Sequence, residues 1–245
     1  AIEIGNEILV AYRDRSLSEI RNINLVRWDG GAWQKPRSLH DDNWEIAGCP
    51  VNGPKLAVKG NNVAAVWYTS PNEQPSIYIA ISKDGGDNFA NPVRLDSGNP
   101  IGRVDCIWLD RDRTLVSWME MGEESTNIIF STVDSAGQKG RSMVATQISP
   151  GRASGHPVIS RYRQNIFLAW TEVGEVDKIK SKWTTNLEGK LSAITIAENK
   201  LFVARVDAHE VVALNAETGK EEWRYSTGGR VDSPPSIHDG RAYFG

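Results

Sequence analysis

The stretch VAAVWYTSPNEQPSIYIAI, residues 63–81, contains the two kinds of strand that decide the fold. Its first run, residues 63–67, is short and apolar and ends in Trp67. Its second run, residues 76–81, places isoleucine at every second position. The residues between the runs include two prolines and an asparagine, which favour turns, so the stretch predicts two antiparallel strands.

Both runs return along the chain at regular intervals. Runs of the first kind occupy residues 8–12, 63–67, 114–118 and 166–170, and their last residues are 55, 51 and 52 positions apart. Runs of the second kind follow at residues 22–28, 76–81 and 127–133. A four-stranded antiparallel unit of about 40–50 residues that repeats in this way is a blade of a β-propeller. A β-sandwich also has many short strands but gives no reason for such a repeat, so the predicted fold class is an all-β propeller.

The turn after the second run, SKDGGDNF at residues 82–89, has a defined chemistry. Asp84 and Ser82 can bind backbone N–H groups, Gly86 supplies a positive φ, and Phe89 closes the turn between layers. This motif resembles the Asp-box of sialidase-like (BNR-repeat) propellers, S-x-D-x-G-x-x-F/W. Residues 11–16, 44–54 and 168–174 extend the resemblance, which covers about residues 1–180. It implies blades, and parent proteins that are secreted or periplasmic.

Beyond Trp170 the repeat shortens, and Trp183 and Trp223 are 40 residues apart. The segment VVALNAETGKEEW, residues 211–223, places Gly219 at the end of a turn and Trp223 on the following strand. It resembles the repeat of PQQ enzymes (quinoprotein-like propellers) over about residues 181–245. The same repeat occurs in propellers that bind no quinone, so we expect no cofactor, PQQ included.

Two repeat families in one chain indicate a chimera, either engineered or recombined, with its junction between Gly174 and Trp183. We expect residues 1–245 to form one propeller domain with a hybrid blade at about residues 156–185. Counting third strands predicts five blades, or six if the terminal strands form a unit of their own; these strands are residues 22–28, 76–81, 127–133, about 177–183 and 209–214. Pairing of residues 234–245 with residues 2–12 would close the ring and protect both edges.

Composition and charge exclude several function classes. The 245 residues include 28 Lys+Arg and 31 Asp+Glu, a net charge of −3 that argues against a nucleic-acid partner. No apolar run approaches the ~20 residues of a membrane span. The first residues lack the pattern of a signal peptide, which leaves localisation open. Cys49 and Cys106 both precede innermost strands, and the sequence leaves open whether they are bonded and whether the chain is a monomer or a domain-swapped oligomer.

The sialidase resemblance implies three arginines on a substrate carboxylate, an Asp acid/base and a Tyr nucleophile assisted by Glu. Arg13 has the context of the first family arginine, although Asp14 follows where the family has a short apolar residue. Asp41, Asp42 and Glu45 fall in the first inter-blade loop, where an acid belongs. No Tyr–Glu pair is recognisable, and no histidine pattern suggests a metal site. We therefore expect no catalytic function, with residual sialidase-like glycoside hydrolysis as an alternative.

Basic residues recur just before the innermost strands, at equivalent positions that ring one mouth of a propeller channel. The candidate binding residues are Arg13, Arg103, Arg152, Lys190 and Arg230, opposed by Asp41 and Glu45. Converging guanidinium groups favour a carboxylate or a phosphate. The favoured interpretation is a non-catalytic propeller chimera whose main property is folding. The alternative is a module that binds a small anion or a carbohydrate in the channel.

Overall fold

A computed structural model describes residues 1–50, 52–150, 155–171, 183–238 and 240–244. Over these residues the protein consists of β-strands, turns and one short 3₁₀ turn at Pro71–Glu73. The chain divides into two compact units, Ala1–Pro150 (unit 1) and Gly151–Gly245 (unit 2). The predicted all-β class is therefore confirmed.

Unit 1 contains three four-stranded antiparallel sheets, in each of which every strand pairs with the next along the chain. The first sheet is β1 (Ile2–Ile4), β2 (Glu7–Arg13), β3 (Ile20–Trp28) and β4 (Arg37–Glu45). The second is β5 (Lys55–Lys59), β6 (Asn62–Thr69), β7 (Ser76–Ser82) and β8 (Val93–Arg94). The third is β9 (Pro100–Trp108), β10 (Arg113–Met121), β11 (Thr126–Asp134) and β12 (Met143–Ile148). This up-and-down order is that of propeller blades.

Unit 2 contains one further four-stranded sheet of the same order and two two-stranded hairpins within its described residues. The hairpins are β13 (Val158–Tyr162) with β14 (Asn165–Ala169), and β19 (Ser236–His238) with β20 (Arg241–Tyr243). The four-stranded sheet is β15 (Leu191–Ala197), β16 (Lys200–Arg205), β17 (Glu210–Asn215) and β18 (Glu221–Ser226). The structure thus has the repeated antiparallel sheets of a propeller-like fold.

The strands form where the sequence predicts them. The two runs of the opening stretch are β6 and β7, which pair in register with Val66 opposite Ile79. The other second and third strands coincide with β2, β3, β10, β11, β14 and β17. The predicted third strand at about residues 177–183 and the junction between Gly174 and Trp183 lie almost entirely outside the described residues.

The core of unit 1 lies between neighbouring sheets. Trp67 and Trp118, the aromatic ends of two predicted runs, are fully buried together with the aliphatic residues of β7 and β10. The Trp108 indole donates a 3.1 Å hydrogen bond to the Ala57 carbonyl of the second sheet. Trp118 packs with residues of the second sheet and Trp67 with Ile23 of the first, so both are anchors between sheets. Truncating one of them to alanine should cost about 3–5 kcal/mol.

The strand pairing of unit 1 limits how residues 2–12 could pair with residues 234–245 to close the predicted ring. Strand β2 pairs with β1 along one edge and with β3 along the other. Because both of its edges are filled, β2 itself cannot pair with the C-terminal segment, and within residues 2–12 the predicted pairing would have to involve β1. All four strands of the first sheet come from the N-terminal part of the chain, Ile2–Glu45.

Candidate functional site

Polar side chains gather at one end of the unit 1 sheets, where second strands finish and first and third strands begin. Arg13 ends β2, Arg21 lies near the start of β3, and Asp42 lies near the end of β4. Asn52 precedes β5. Because successive strands are antiparallel, these positions fall at the same end of the sheets.

Arg13 is buried at this end, with only 6% of its side chain exposed. Its Nε donates to the Asn52 carbonyl over 3.4 Å, and its Nη2 donates to the Tyr68 carbonyl of the second sheet. The guanidinium lies 5.0 Å from the centre of the Trp44 ring. Burial lowers the pKa of Arg13, and the neighbouring Asp42 carboxylate opposes that shift.

Asp42 is the buried acid beside Arg13, with 1% of its side chain exposed. Its Oδ1 accepts the Trp67 indole N–H over 3.0 Å and lies 2.8 Å from His40 Nδ1. Its Oδ2 lies 3.5 Å from Arg13 Nη1. Asp42 therefore pairs with Arg13 within the first sheet and joins this sheet to the second through the indole hydrogen bond.

Arg21 is a second buried guanidinium, with 5% of its side chain exposed. Its Nη2 donates to Glu19 Oε2 over 2.9 Å and to the Gly48 carbonyl over 3.1 Å. Glu19 also accepts from the exposed Arg15. The positive charge of Arg21 lies close enough to Arg13 to contribute to lowering its pKa.

Three polar atoms of this cluster are buried without a hydrogen-bond partner among the described residues: Arg13 Nη1, Arg21 Nη1 and Asp42 Oδ2. Buried polar groups of proteins are nearly always hydrogen-bonded, and an unpaired one costs about 1–3 kcal/mol, more when it is charged. Of the three, Arg13 Nη1 and Asp42 Oδ2 form an ion pair with each other over 3.5 Å, which leaves Arg21 Nη1 as the donor with no partner given. We call Arg13, Arg21 and Asp42 the buried charge cluster.

Asn52 connects this end of the first sheets to the third. Its Oδ1 accepts the Arg103 backbone N–H over 2.9 Å, and its Nδ2 donates to the Ile101 carbonyl over 3.1 Å. A Cβ atom on Gly102, whose φ is +88°, would lie 2.5 Å from Asn52 Nδ2. Glycine at position 102 is therefore what lets the Asn52 amide reach the backbone of β9.

The structure brings only some of the predicted binding residues together. Arg13 bonds to the Asn52 carbonyl, and the Asn52 side chain accepts the backbone N–H of Arg103, whose side chain is not part of this contact. Arg103 lies within β9 at a φ of +55°, which corrects its assignment to the loop before that strand. Asp41 and Glu45 are exposed, and both lie on strand β4, which corrects their assignment to an inter-blade loop. The Asp41 and Glu45 side chains lie on the face of β4 opposite to that of Asp42, because side chains alternate along a strand.

The remaining candidates belong to unit 2. Lys190 is exposed and immediately precedes β15. Arg230 is exposed and pairs with Asp232 over 2.8 Å. Arg152 lies outside the described residues. Convergence of these side chains with those of unit 1 in one channel mouth stays a prediction.

The turn at residues 82–89 has the local bonding that its residue types predict. Asp84 accepts the Asn88 backbone N–H over 2.9 Å and the Ser82 hydroxyl over 2.7 Å. These bonds hold the pKa of Asp84 well below its ordinary value of 3.8, the two from Asn88 having the largest effect. Gly86 has a φ of +86°, and Phe89 packs against the core between the first two sheets.

The corresponding turn of unit 2 is equally well packed. Gly219 has a φ of +71°, and its N–H donates to the Asn215 carbonyl over 2.8 Å. Trp223 on the outer strand β18 packs against Phe202 and contributes to a small core that includes Phe244. Trp223 thus packs the outer strand against the neighbouring strands of unit 2.

Both cysteines are free thiols, and they differ in environment. Cys106 is buried in β9, where burial raises its pKa, and Cys49 is exposed. The described residues hold no group of three His, Cys, Asp or Glu side chains suited to a metal ion. Nor do they include a helix long and apolar enough to span a membrane.

Comparison with known proteins gives one family match and several similar folds. Residues 171–244 match the family described as outer membrane protein assembly factor BamB, which supports PQQ-like repeats in this part of the chain. No curated protein matches the sequence. The Asp84 turn and the buried charge cluster both lie in unit 1, outside the matched residues.

Among solved structures the chain is similar to the Hadza microbial sialidase Hz136, with a TM-score of 0.48 and 15% identity over 92% of this chain and 57% of that chain. It is also similar to a glycosyl hydrolase from Bacteroides ovatus, with a TM-score of 0.42 and 12% identity over 97% of this chain and 71% of that one. A third is the computationally designed Ika8 protein, with a TM-score of 0.40 and 8% identity over 96% of this chain and 92% of that one. The present chain thus spans little more than half of the sialidase.

Proposed function

We propose that this protein is a non-catalytic, propeller-like scaffold that binds a small carboxylate at the buried charge cluster. Among the alternatives that the sequence leaves open, anion binding is the one that a specific observation favours. Arg13 and Arg21 are both buried, lie close together, and each keeps an Nη1 atom without a hydrogen-bond partner among the described residues. A carboxylate accepts from two such donors at once.

The charges of the contact network also favour an anion. Arg13 and Arg21 are a buried like-charge pair, and Arg21 contributes to lowering the pKa of Arg13. Their carboxylate partners are Asp42 and Glu19. A monovalent anion would supply further acceptors to the two guanidinium groups.

Access to the cluster requires a local movement, because the two Nη1 atoms are closed to solvent. The Gly48 carbonyl lies on Arg21, and the Trp44 ring lies over Arg13. A ligand carboxylate can replace the Gly48 carbonyl as the acceptor of Arg21 at little cost in hydrogen bonding. We therefore expect slow association, limited by displacement of this carbonyl, and not by diffusion.

The test is calorimetric titration with sodium acetate at constant ionic strength held with sodium chloride, alongside thermal unfolding. We expect saturable binding and a rise in the midpoint of unfolding that follows ligand concentration.

Arg21→Lys keeps the charge but loses the planar fork, and we expect affinity to fall about tenfold, or 1.4 kcal/mol. Arg113→Lys, at an exposed pair with Asp110, is the matched control and should leave affinity unchanged. Absence of saturable binding would overturn the proposal.

We also propose that the chain is a recombined or engineered chimera, in which sialidase-like blades precede PQQ-repeat blades in one ring of five blades, or six. Support comes from the two turn chemistries at Asp84 and Gly219 and from the restriction of the family match to residues 171–244. A native mass of one chain and a large drop in melting temperature on deleting residues 233–245 are expected. A truncated monomer that melts like the parent would contradict ring closure.

Catalysis is not part of the proposal. The only buried acid of the cluster, among the described residues, is Asp42, and its Oδ1 already accepts from Trp67 and contacts His40. Turnover of a fluorogenic sialoside by the parent protein, abolished by Arg13→Lys, would replace the scaffold proposal by a residual glycoside hydrolase.

A further inference from the structure

Asn52 is followed by Gly53, and this is the one Asn–Gly step in the sequence. Asparagine is a chemically labile residue, and it reacts most readily before glycine, which has no Cβ to hinder its own backbone nitrogen. The Gly53 nitrogen attacks Asn52 Cγ, a new C–N bond closes a succinimide ring, and the side-chain nitrogen leaves as ammonia with the proton that the Gly53 nitrogen loses. Water then opens the ring to aspartate or isoaspartate, without any oxidant or reductant. Gly53 is exposed, so solvent supplies that water.

The Asn52 amide is bound by strand β9 in the folded protein. Its Oδ1 accepts the Arg103 N–H over 2.9 Å, and its Nδ2 donates to the Ile101 carbonyl over 3.1 Å. Between these two residues the Gly102 backbone comes so close that a Cβ atom on it would lie 2.5 Å from Asn52 Nδ2. To form the succinimide, Asn52 Cγ has to turn to the Gly53 nitrogen, which breaks these contacts. The reaction therefore depends on a local opening at this end of unit 1.

We propose that Asn52 is a deamidation site that its contacts with β9 keep closed, and that modification there weakens the attachment of β9 irreversibly. Aspartate at position 52 keeps an acceptor for the Arg103 N–H, but it has no N–H for the Ile101 carbonyl and places a negative charge against it. Isoaspartate also lengthens the main chain at the residue whose carbonyl accepts from Arg13 Nε. Either product prevents the original contact from forming again once it has opened.

The experiment incubates the parent protein at pH 8 in native buffer and in guanidinium chloride, and follows deamidation by peptide mapping with mass spectrometry. We expect Asn52 to react at least about tenfold more slowly in native buffer, because only the open fraction reacts. Asn43, which precedes the bulky Trp44, is the internal reference and should stay unmodified. Equal rates at Asn52 in the two buffers overturn the protection by the fold. An unreactive Asn52 in guanidinium chloride overturns the site itself.

Two glycine variants separate the attacking nitrogen from the protecting contact. A Cβ atom on Gly53 meets nothing within 4 Å, so Gly53→Ala should fold like the parent and should deamidate more slowly in guanidinium chloride. An unchanged rate there overturns the assignment to the Asn–Gly step. Gly102→Ala pushes against the Asn52 amide, so we expect faster deamidation than in the parent in native buffer.

Gly60→Ala is the matched control for Gly102→Ala. Gly60 has a φ of +60° and Gly102 a φ of +88°, so both variants carry the backbone strain of a positive φ, but a Cβ atom on Gly60 meets nothing within 4 Å. Gly60→Ala should therefore keep the parent rate at Asn52. Equal rates in the two variants overturn the role of β9. If Gly102→Ala does not fold, the parent protein with and without guanidinium chloride decides the matter.

A variant that carries the product residue measures the consequence of the modification. Asn52→Asp should melt at a lower temperature than the parent at pH 7, because the Ile101 carbonyl loses its donor and faces a carboxylate. Asn91→Asp makes the same chemical change at an exposed position and should melt like the parent. Equal melting temperatures for the two variants overturn the claim that modification weakens the attachment of β9.

Discussion

The Trp67 indole N–H donates to Asp42 Oδ1 over 3.0 Å, and through this bond the second sheet of unit 1 orients the acid of the first. Trp67 is fully buried at the end of the run that decides the fold, and Asp42 is the carboxylate of the buried charge cluster. A residue selected for packing therefore also sets the direction of a charged group. The candidate site and the core cannot be altered independently at this point.

Trp67→Phe tests that relationship. The change keeps an aromatic core residue but removes the donor, so Asp42 loses one of the two partners of Oδ1. We expect a loss of about 1–3 kcal/mol from the free energy of unfolding in urea, since a buried acceptor is left under-satisfied. Trp33→Phe, at an exposed indole, is the control and should stay within about 0.5 kcal/mol. A loss of equal size in both variants would show that the indole bond contributes nothing.

His40 should make the stability of unit 1 depend on pH near neutrality. Its hydrogen bond to Asp42 is the largest effect on its pKa, which is raised above the ordinary value of 6.5. For a raised pKa the stabilisation is fully present below the unfolded value and is lost as pH rises through the folded value. Urea unfolding from pH 5.5 to 8.5 should therefore show a decline that His40→Gln removes. An identical pH profile in the variant would exclude His40 as the source.

The turn at Asp84 should respond to acid in the opposite sense. Its pKa is depressed by hydrogen bonds from Asn88 and Ser82, so its contribution is present above the ordinary value of 3.8 and is lost as pH falls through the depressed folded value. We expect Asp84→Ala to unfold at lower urea concentration than the parent at pH 7, with the gap narrowing at acid pH. Asp87→Ala, an exposed neighbour in the same turn, controls for the removal of one surface carboxylate. A gap that stays constant with pH would mean that the carboxylate charge is irrelevant to the turn.

The sequence predicted the strands well because their signal is local. Second strands are short apolar runs that end in a bulky residue such as Trp67, and third strands place apolar residues at alternate positions. All of the predicted ones that the structure describes form where predicted. The turns at Asp84 and Gly219 were equally predictable, because their bonds join residues only a few positions apart.

The site was less predictable because its register is set by distant contacts. The sequence shows three acids in this region, Asp41, Asp42 and Glu45, and we predicted that Asp41 and Glu45 would face the arginines. Along β4 the buried side chains are Asp42 and Trp44, whereas Asp41 and Glu45 are exposed. The sequence analysis identified neither Arg21 nor Asn52. Asn52 acts across about fifty positions, by a hydrogen bond to the backbone of Arg103, and a local motif does not reveal such a contact. Strict alternation from Trp44 backwards would have identified Asp42 as its buried neighbour on the same face.

The glycine of the unit 2 turn permits a prediction with an internal control. A Cβ atom on Gly219 would lie 2.3 Å from Trp183 Cε3, and the φ of Gly219 is +71°. Gly228 has nearly the same φ, +69°, but a Cβ there meets nothing within 4 Å. Both alanine variants thus carry the backbone strain of a positive φ, about 1–2 kcal/mol, and only Gly219→Ala adds the clash with an indole that bonds to the Ala216 carbonyl.

We therefore expect Gly219→Ala to lose more stability than Gly228→Ala by a further 1–3 kcal/mol, the usual cost of overpacking. Urea unfolding followed by tryptophan fluorescence measures the loss and reports on displacement of the Trp183 ring at the same time. Because the two variants share their backbone strain, the difference between them isolates the packing of Trp183 against the turn. Equal losses in the two variants would show that the Trp183 ring moves aside freely and does not anchor the sheet of β15 to β18.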